Sequence, residues 1–380
     1  QTMDEVYKKS LELHKQHKGK ISVELKMPLN TKEDLSLAYS PGVAEASRQI
    51  GKNPEAVFDY TIKGNSVAVV SDGSAILGLG NLGAKAAIPV MEGKAALFKR
   101  FAGIDAFPIC LDTQDPEKII EIVKAISPVF GAVNLEDISA PRCFYIEERL
   151  RKEADIPVMH DDQHGTATVV LAGLINSLTL RGSKKEEVKV VVNGAGAAGG
   201  SIVKILLEYG FENIVVLDSK GAIYEGREDL DGMKVEIARL TNKEKKAGGL
   251  KEMMQGSDIF IGVSKAGLVD QQMVRSMNKD PIIFALANPE PEISVTLAKE
   301  AGALVVATGR SDFPNQVNNS LAFPGLFRGA LDNKIKQFEP HMFVKAAEEL
   351  ASFVTNPTPE KIIPGPFEEG IAERVAKVVK

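Results

Sequence analysis

Two apolar segments of the chain end in pairs of acids. GAVNLED closes with Glu136 and Asp137, and IPVMHDD closes with Asp161 and Asp162. Four carboxylates gathered at strand ends repel one another unless protons or a cation intervene. All-oxygen ligation suits a hard ion, Mg²⁺ or Mn²⁺, which takes a few carboxylates and fills its shell with water and substrate oxygens. Helix capping or a solvated loop is the alternative use of the same acids. His160 and His164 flank the second pair. Zinc would need further nitrogen or sulfur ligands at sensible spacing, and a chain with 5 histidines and 2 cysteines offers none.

Lys94 follows Glu92 and Gly93 and opens KAALFKRF, where a helix is expected to begin. A cation at the positive end of a helix is disfavoured, which lowers its pKa and makes a general base near neutrality. A solvated surface lysine is the alternative. Tyr39 precedes Ser40 and Pro41 in LAYSPGVAE, with Ser40 suited to cap a helix and Pro41 to start it. That spacing sets the phenol at a second helix start, or else packs it there as a plain apolar residue.

Two stretches carry the spacing GxGxxG. In VVVNGAGAAG a β-branched run stops at Asn193, and Gly194, Ala195, Gly196, Ala197, Ala198 and Gly199 turn the chain into a helix. Such a turn brings backbone N–H groups to a pyrophosphate at the helix start. Ile202, Ile205, Leu206 and Tyr209 give that helix its buried face, and Gly210 ends it. The following strand delivers Asp218 where a ribose-binding carboxylate belongs. In the earlier stretch, VAVV is followed by SDGS and then AILGL, which reads as a hairpin feeding a loop of Gly78, Gly80 and Gly83 rather than as a pyrophosphate turn.

Positioning these groups takes two units. A chain of 380 residues accommodates two domains. DAFPICLD, GAVNLED and IPVMHDD read as strands of an N-terminal α/β unit over residues 1–164. DIFIGVS, PIIFALANP and ALVVATG extend a C-terminal doubly wound parallel sheet over residues 165–380, which ends in a helical tail. The net charge of −5, without basic blocks, argues against nucleic acid or a membrane surface as partner. No apolar run reaches membrane-spanning length, and KKSLELHKQHKGK has no signal-peptide core, so a cytoplasmic address is expected. Cys110 and Cys143 read as core thiols.

LAYSPGVAE, VVSDGSAILGLGNLGAKAAIPVMEGKAALFK, NLEDI, HDDQHGTA, VVVNGAGAAG, FALANPEPE and NNSLAFPG resemble, in order, the blocks of the malic enzymes, specifically the short bacterial and archaeal form. The resemblance implies oxidative decarboxylation of L-malate to pyruvate and CO₂ by a homo-oligomer, expected to be a dimer, with NAD or NADP and with Mg²⁺ or Mn²⁺. It assigns the acid to Tyr39, the base to Lys94, the metal ligands to Glu136, Asp137 and Asp162, and support of proton transfer to Asp161. It assigns substrate and nicotinamide contacts to Asn288 and to the pair Asn318 and Asn319, leaving open which of the pair meets substrate. One departure stands out: where larger eukaryotic forms carry an arginine for a malate carboxylate, this chain has Ala75. Two other classes share part of the pattern, a two-domain dehydrogenase of the amino-acid or methylene-tetrahydrofolate type and a non-catalytic nucleotide-sensing module. For the coenzyme, Asp218 favours NAD by repelling a 2′-phosphate, while Lys220, two residues on, is expected to soften that repulsion so that NADP is accepted.

Overall fold

SVAVVS, buried at every position, forms β1 (Ser66–Ser71) at the centre of the first sheet. A strand with no polar face belongs inside a parallel sheet covered on both sides. It pairs in parallel with β2 (Asp105–Cys110) and with β3 (Ala132–Leu135), and β3 pairs in parallel with β4 (Val158–His160). Both edges of β1 are therefore taken, and among the described residues no hairpin follows it. The chain leaves Ser71 in a loop instead, in which the Leu82 and Gly83 amides donate to Gly73 O and the Ala75 amide donates to Asp137 O. Gly73 has φ +69, and a Cβ there would collide with Gly83 O. The computed structural model describes residues 3–76, 79–230 and 232–380, so Gly78 lies outside the described residues.

The helix that follows spans Ala84–Ala102 and runs through Pro89 and Gly93. Its buried stripe of Ala87, Met91, Ala95 and Phe98 keeps helical spacing across both breakers. Burial of that face against β1 and β2 outweighs the local penalty of a proline, and it corrects the expected start at Lys94, which lies mid-helix. The expected arrangement around Tyr39 also changes. Thr31 and Asp34 form a capping box that starts a helix at Lys32–Ala38, and Tyr39 closes it at the C-cap. The next helix, Val43–Lys52, takes Gly42 as N-cap, so neither Ser40 nor Pro41 begins it.

The second sheet has the order β10-β9-β8-β5-β6-β7, built from β5 (Lys189–Asn193), β6 (Asn213–Asp218), β7 (Gly221–Ala222), β8 (Ile259–Gly262), β9 (Ile282–Ala285) and β10 (Val305–Thr308). All its pairings are parallel except that of β7, which gives the expected doubly wound architecture. The strand order reverses at β5, so a crevice opens beyond its carboxyl end.

One helix, Asp161–Arg181, carries the chain from the first sheet to the second, and most of its residues are buried. After β10 the chain returns to the first unit. The helix Phe323–Asp332 packs on Ala84–Ala102, with Phe323 and Phe327 against Phe98 at ring-centroid distances of 4.8 and 5.3 Å. A single apolar cluster thus joins Val67 and Phe98 to Val190 and Phe284. Cys143 is buried and Cys110 half-buried, and burial pushes both thiols up, as core positions require. Among the described residues no helix is long and apolar enough to cross a membrane.

Candidate active site and dinucleotide crevice

Register brings the two acid pairs together. Leu135 of β3 stands opposite His160 of β4, so Glu136 and Asp161, the next residues of each strand, emerge side by side at the carboxyl edge. Glu136, Asp137 and Asp162 each offer an oxygen, and these atoms lie within 4.8 Å of one another. Lys94 reaches them from the middle of its helix, with Nζ 2.9 Å from Glu136 Oε1 and 2.8 Å from Asp161 Oδ2. Its ammonium also sits 4.4 Å above the Phe323 ring. Asn319 donates to Asp161 Oδ2 at 2.6 Å, and Asn134 donates to Glu136 Oε1 at 3.0 Å. The Asp137 amide donates to Asp162 Oδ2 at 2.9 Å, which requires Asp137 at φ 52, a conformation side chains other than glycine rarely adopt. Gly165 must be glycine, because a Cβ there would collide with Asp161 Oδ1.

The electrostatics follow from burial. Asp137 is pushed up to about 9 by desolvation and then by the charges of Asp162 and Glu136. Glu136 and Asp162 are raised mainly by desolvation, and Asp161 is pushed up to about 8 by the same cause against the opposing pull of Lys94. Burial works against the charge on Lys94, but Asp161, Glu136 and Asp162 together outweigh it and hold the ammonium well above the ordinary lysine range. The expectation of a lysine lowered by a helix start is thereby corrected. The charge on Lys94 is set by carboxylates, and the helix start at Ala84 is ten residues away.

The acids fit a hard divalent ion. Among the described residues Asp137 Oδ2 is buried without a hydrogen-bond partner, three carboxyl groups converge on one point, and their donor set is all oxygen. Burial of Glu136, Asp137 and Asp161 sets aside the solvated-loop alternative for those three, while Asp161 and Asp162 do stand in the first turn of a helix. Neither histidine joins the group. His164 bonds Glu147 at 2.7 Å and stacks on Phe343, while His160 is wholly buried and desolvation holds it down at about 4, hence neutral.

Of the remaining expected residues, Asn318 spends its side chain capping the turn Asn319–Leu321, so within the pair it is Asn319 that faces the acids. Asn288 is exposed in the loop after β9, beside Gly309 after β10. That loop is held by the buried Glu292, whose carboxylate accepts from the Ala287 and Ser264 amides at 3.1 and 3.2 Å. The structure does not bring Tyr39 to the cluster: its side chain is 68% exposed and bonds none of these groups among the described residues.

The crevice beyond β5 is a cavity of about 1000 Å³ lined by Gly194, Ala195, Gly196, Asp218 and Lys220 on one side and by Ala140, Pro141 and Phe144 on the other. Gly194 has φ +123, and a Cβ on Gly199 would collide with Gly194 O, so the turn is as tight as a pyrophosphate loop demands. Ala197 and Ala198 open the helix Ala197–Tyr209. Ala140 follows Asp137 by three residues, so one wall of the crevice continues along the chain from the acid cluster. Asp218 is not free. Its Oδ2 meets Arg227 at 2.6 Å and Lys234 at 2.9 Å, and although desolvation opposes it, these cations hold the carboxyl at about 2. Lys220 donates its backbone amide to Asp218 Oδ1 at 2.9 Å, while its ammonium pairs with Asp229 at 2.9 Å. Arg227 and Lys234 lie nine and sixteen residues past Asp218, too far along the chain for any spacing rule to connect them.

A family described as malic enzyme, N-terminal domain, matches residues 18–151, and one described as malic enzyme, NAD binding domain, matches residues 163–379. The chain is 57% identical to a bifunctional malic/malolactic enzyme of Bacillus subtilis, over 97% of this chain and 91% of the relative. It is 53% identical to an NAD-dependent malic enzyme of Geobacillus stearothermophilus, over 95% of this chain and 76% of that one. An NADP-dependent malic enzyme of Halomonas elongata is 47% identical, over 95% and 89%. Among solved structures, that of the NAD-dependent malic enzyme of Thermotoga maritima superposes with a TM-score of 0.95 at 52% identity, covering 97% of this chain and 98% of that one.

Proposed function

The chain belongs to the malic enzyme family, and from that membership we propose that it oxidises L-malate at C2 with NAD or NADP, releases CO₂ and leaves pyruvate, in a reaction that depends on a divalent ion. The observation that carries this reading is Lys94, held between Glu136 and Asp161 beside a three-carboxylate cluster. Glu136, Asp137 and Asp162 would hold Mg²⁺ or Mn²⁺, which supplies a Lewis acid at the C2 oxygen and cancels charge around Lys94. The nicotinamide supplies the hydride acceptor.

The residues of the chain handle the protons. Lys94 takes the C2 hydroxyl proton as C2 is oxidised, having first passed its own to Asp161, 2.8 Å away. Asp161 is placed for that task by its direct contact with the ammonium. Asn319 fixes the acceptor oxygen by its bond at 2.6 Å. Loss of CO₂ breaks the C3–C4 bond and leaves an enolate, whose C3 must then receive a proton. A spectrophotometric assay with malate, each coenzyme, and Mn²⁺ with or without EDTA tests the whole reading. Turnover that survives the chelator would favour a metal-independent dehydrogenase, and no turnover at all would favour a nucleotide sensor.

Tyr39 is the proposed acid for C3. It ends a helix in an N-terminal segment whose three helices bury no residue and which exposes Val23, Leu25 and Leu11 at 82%, 75% and 74%. Apolar surface of this extent is ordinarily covered by a partner, in keeping with a homo-oligomer. An acid left in bulk water does no better than water, so this role requires the contact between copies to close over Tyr39. Tyr39→Phe is expected to slow exchange of the pyruvate C3 protons by about 10²-fold while oxaloacetate reduction changes far less. Equal, mild losses in both assays would return Tyr39 to a surface role.

NAD is the proposed preferred coenzyme, with NADP accepted. Asp218 can take the ribose hydroxyls, and the two cations clamped on it become available to a 2′-phosphate once the carboxylate is removed. Asp218→Ala is expected to shift relative kcat/KM toward NADP by about tenfold, roughly 1.4 kcal/mol, and Lys234→Ala to shift it the other way. Lys220→Ala should leave it nearly unchanged. A wild type that already prefers NADP by more than about tenfold would overturn the role given to Asp218.

A further inference from the structure

Behind the acid cluster lies a second layer that the chemistry above does not use: the buried Glu147, His160 and Gln163, with the half-buried His164. Glu147 spends both oxygens on it, accepting the His160 amide at 2.6 Å and the His164 ring at 2.7 Å. The position of His160 is thereby set from the helix Arg142–Glu153. Its ring is set from the other side, where the Gln163 amide donates to Nδ1 at 3.1 Å in a fully buried contact. A nitrogen that accepts there leaves the ring hydrogen on Nε2. Nε2 is buried, has no hydrogen-bond partner at ordinary range among the described residues, and faces Asp162 Oδ2 at 3.4 Å.

We propose that His160 is a positioning residue for the divalent-ion site, its Nε2–H holding the Oδ2 oxygen of Asp162 so that the other oxygen is presented to the ion shared with Glu136 and Asp137. The inference rests on the metal reading of those three acids. Asp162 Oδ2 already accepts the Asp137 amide at 2.9 Å, and a carboxylate oxygen has room for two donors. Two donors from different directions stop the group from rotating, which a single bond does not. Closing the gap by a few tenths of an ångström gives a normal bond, and a ligating carboxylate gripped by an outer partner is how metal sites keep their geometry. A histidine kept only for packing would not need a polar contact at Nδ1 and an acid facing Nε2.

The test separates the two ring nitrogens. Asparagine keeps an amide near Nδ1 and loses the donor toward Asp162, whereas glutamine carries an amide out to the position of Nε2. Titration with Mn²⁺, read from the electron paramagnetic resonance signal of the free ion and so without turnover, should show affinity about tenfold weaker in His160→Asn and within about threefold of wild type in His160→Gln. NADH binding, followed by fluorescence, should be unchanged in both. Wild-type Mn²⁺ affinity in the asparagine variant, or a glutamine variant no better than asparagine, overturns the proposal. A wild type that binds no Mn²⁺ overturns the metal reading with it. Should either variant fail to fold, ¹⁵N-histidine labelling of the wild type decides: His160 protonated on Nε2 and shifted by Mg²⁺ supports the role, and a proton on Nδ1 sinks it.

Discussion

Lys94→Ala is expected to lower kcat with malate by about 10²- to 10⁴-fold, the usual scale for losing a positioned acid or base. Oxaloacetate reduction should fall in parallel, because the same proton moves in reverse. The variant should still fold. Removing the ammonium leaves Glu136 and Asp161 without their shared cation, but both carboxyls already sit above their ordinary range through desolvation and answer by holding protons. Lys94→Arg is not expected to rescue turnover. The lysine site is a slot above the Phe323 ring, 4.4 Å from its centroid, and a guanidinium does not give up its proton. Added primary amines of small size should restore part of the activity to the alanine variant and none to the arginine variant. Activity within a factor of about ten of wild type in Lys94→Ala, at normal Tm, would remove Lys94 from the reaction.

The second large effect concerns the acids and has a pH dependence of definite sign. Asp137 and Asp161 are pushed up to about 9 and about 8, mainly by burial, whereas an unfolded aspartate titrates near 3.9. Between those values the folded chain keeps protons that the unfolded chain has lost, so stability falls as pH rises through the window and levels off above it. A divalent ion binds the deprotonated set and competes with those protons, so its affinity rises over the same range. The metal-free protein should therefore lose Tm steadily from about pH 4 to about pH 9, and Mg²⁺ or Mn²⁺ should raise Tm most at the alkaline end. Asp162→Ala should abolish the metal-induced rise and Mn²⁺-dependent turnover together, and it should flatten the alkaline decline because one repelling charge is gone. Near-normal activity of Asp162→Ala without added metal, or a metal-free protein that gains Tm over this range, would exclude the cluster as an ion site.

Much of this was legible in the residues themselves. Each apolar strand ended where its polar residues began, so the acid pairs and the glycine turn could be placed at strand ends from local pattern alone. The order of blocks, from LAYSPGVAE to NNSLAFPG, carried the family. Local pattern held for the strands, their closing carboxylates and the tight turn at Gly194, and it failed for the helix starts expected at Ser40 and Lys94. Local rules misled wherever burial elsewhere outweighed them. Pro89 and Gly93 mark a break in any window reading, yet the helix runs through them because Ala87, Met91, Ala95 and Phe98 bury a common face.

Only the tertiary structure decided which charges meet. Lys94 finds Asp161 across 67 residues and Asn319 finds it across 158. Arg227 and Lys234 reach Asp218 from nine and sixteen residues away, while the Lys220 ammonium turns to Asp229. The physical reason is range. Backbone dihedrals and hydrophobic period are properties of a few adjacent residues, and the chain states them directly. The protonation of a buried group depends instead on every charge within several ångströms and on the water excluded around it, and sheet register and returning helices set both. The amino acids named Lys94 as a candidate base, while its three carboxylate neighbours, brought there by β3, β4 and the helix between the sheets, decide when it can act as one.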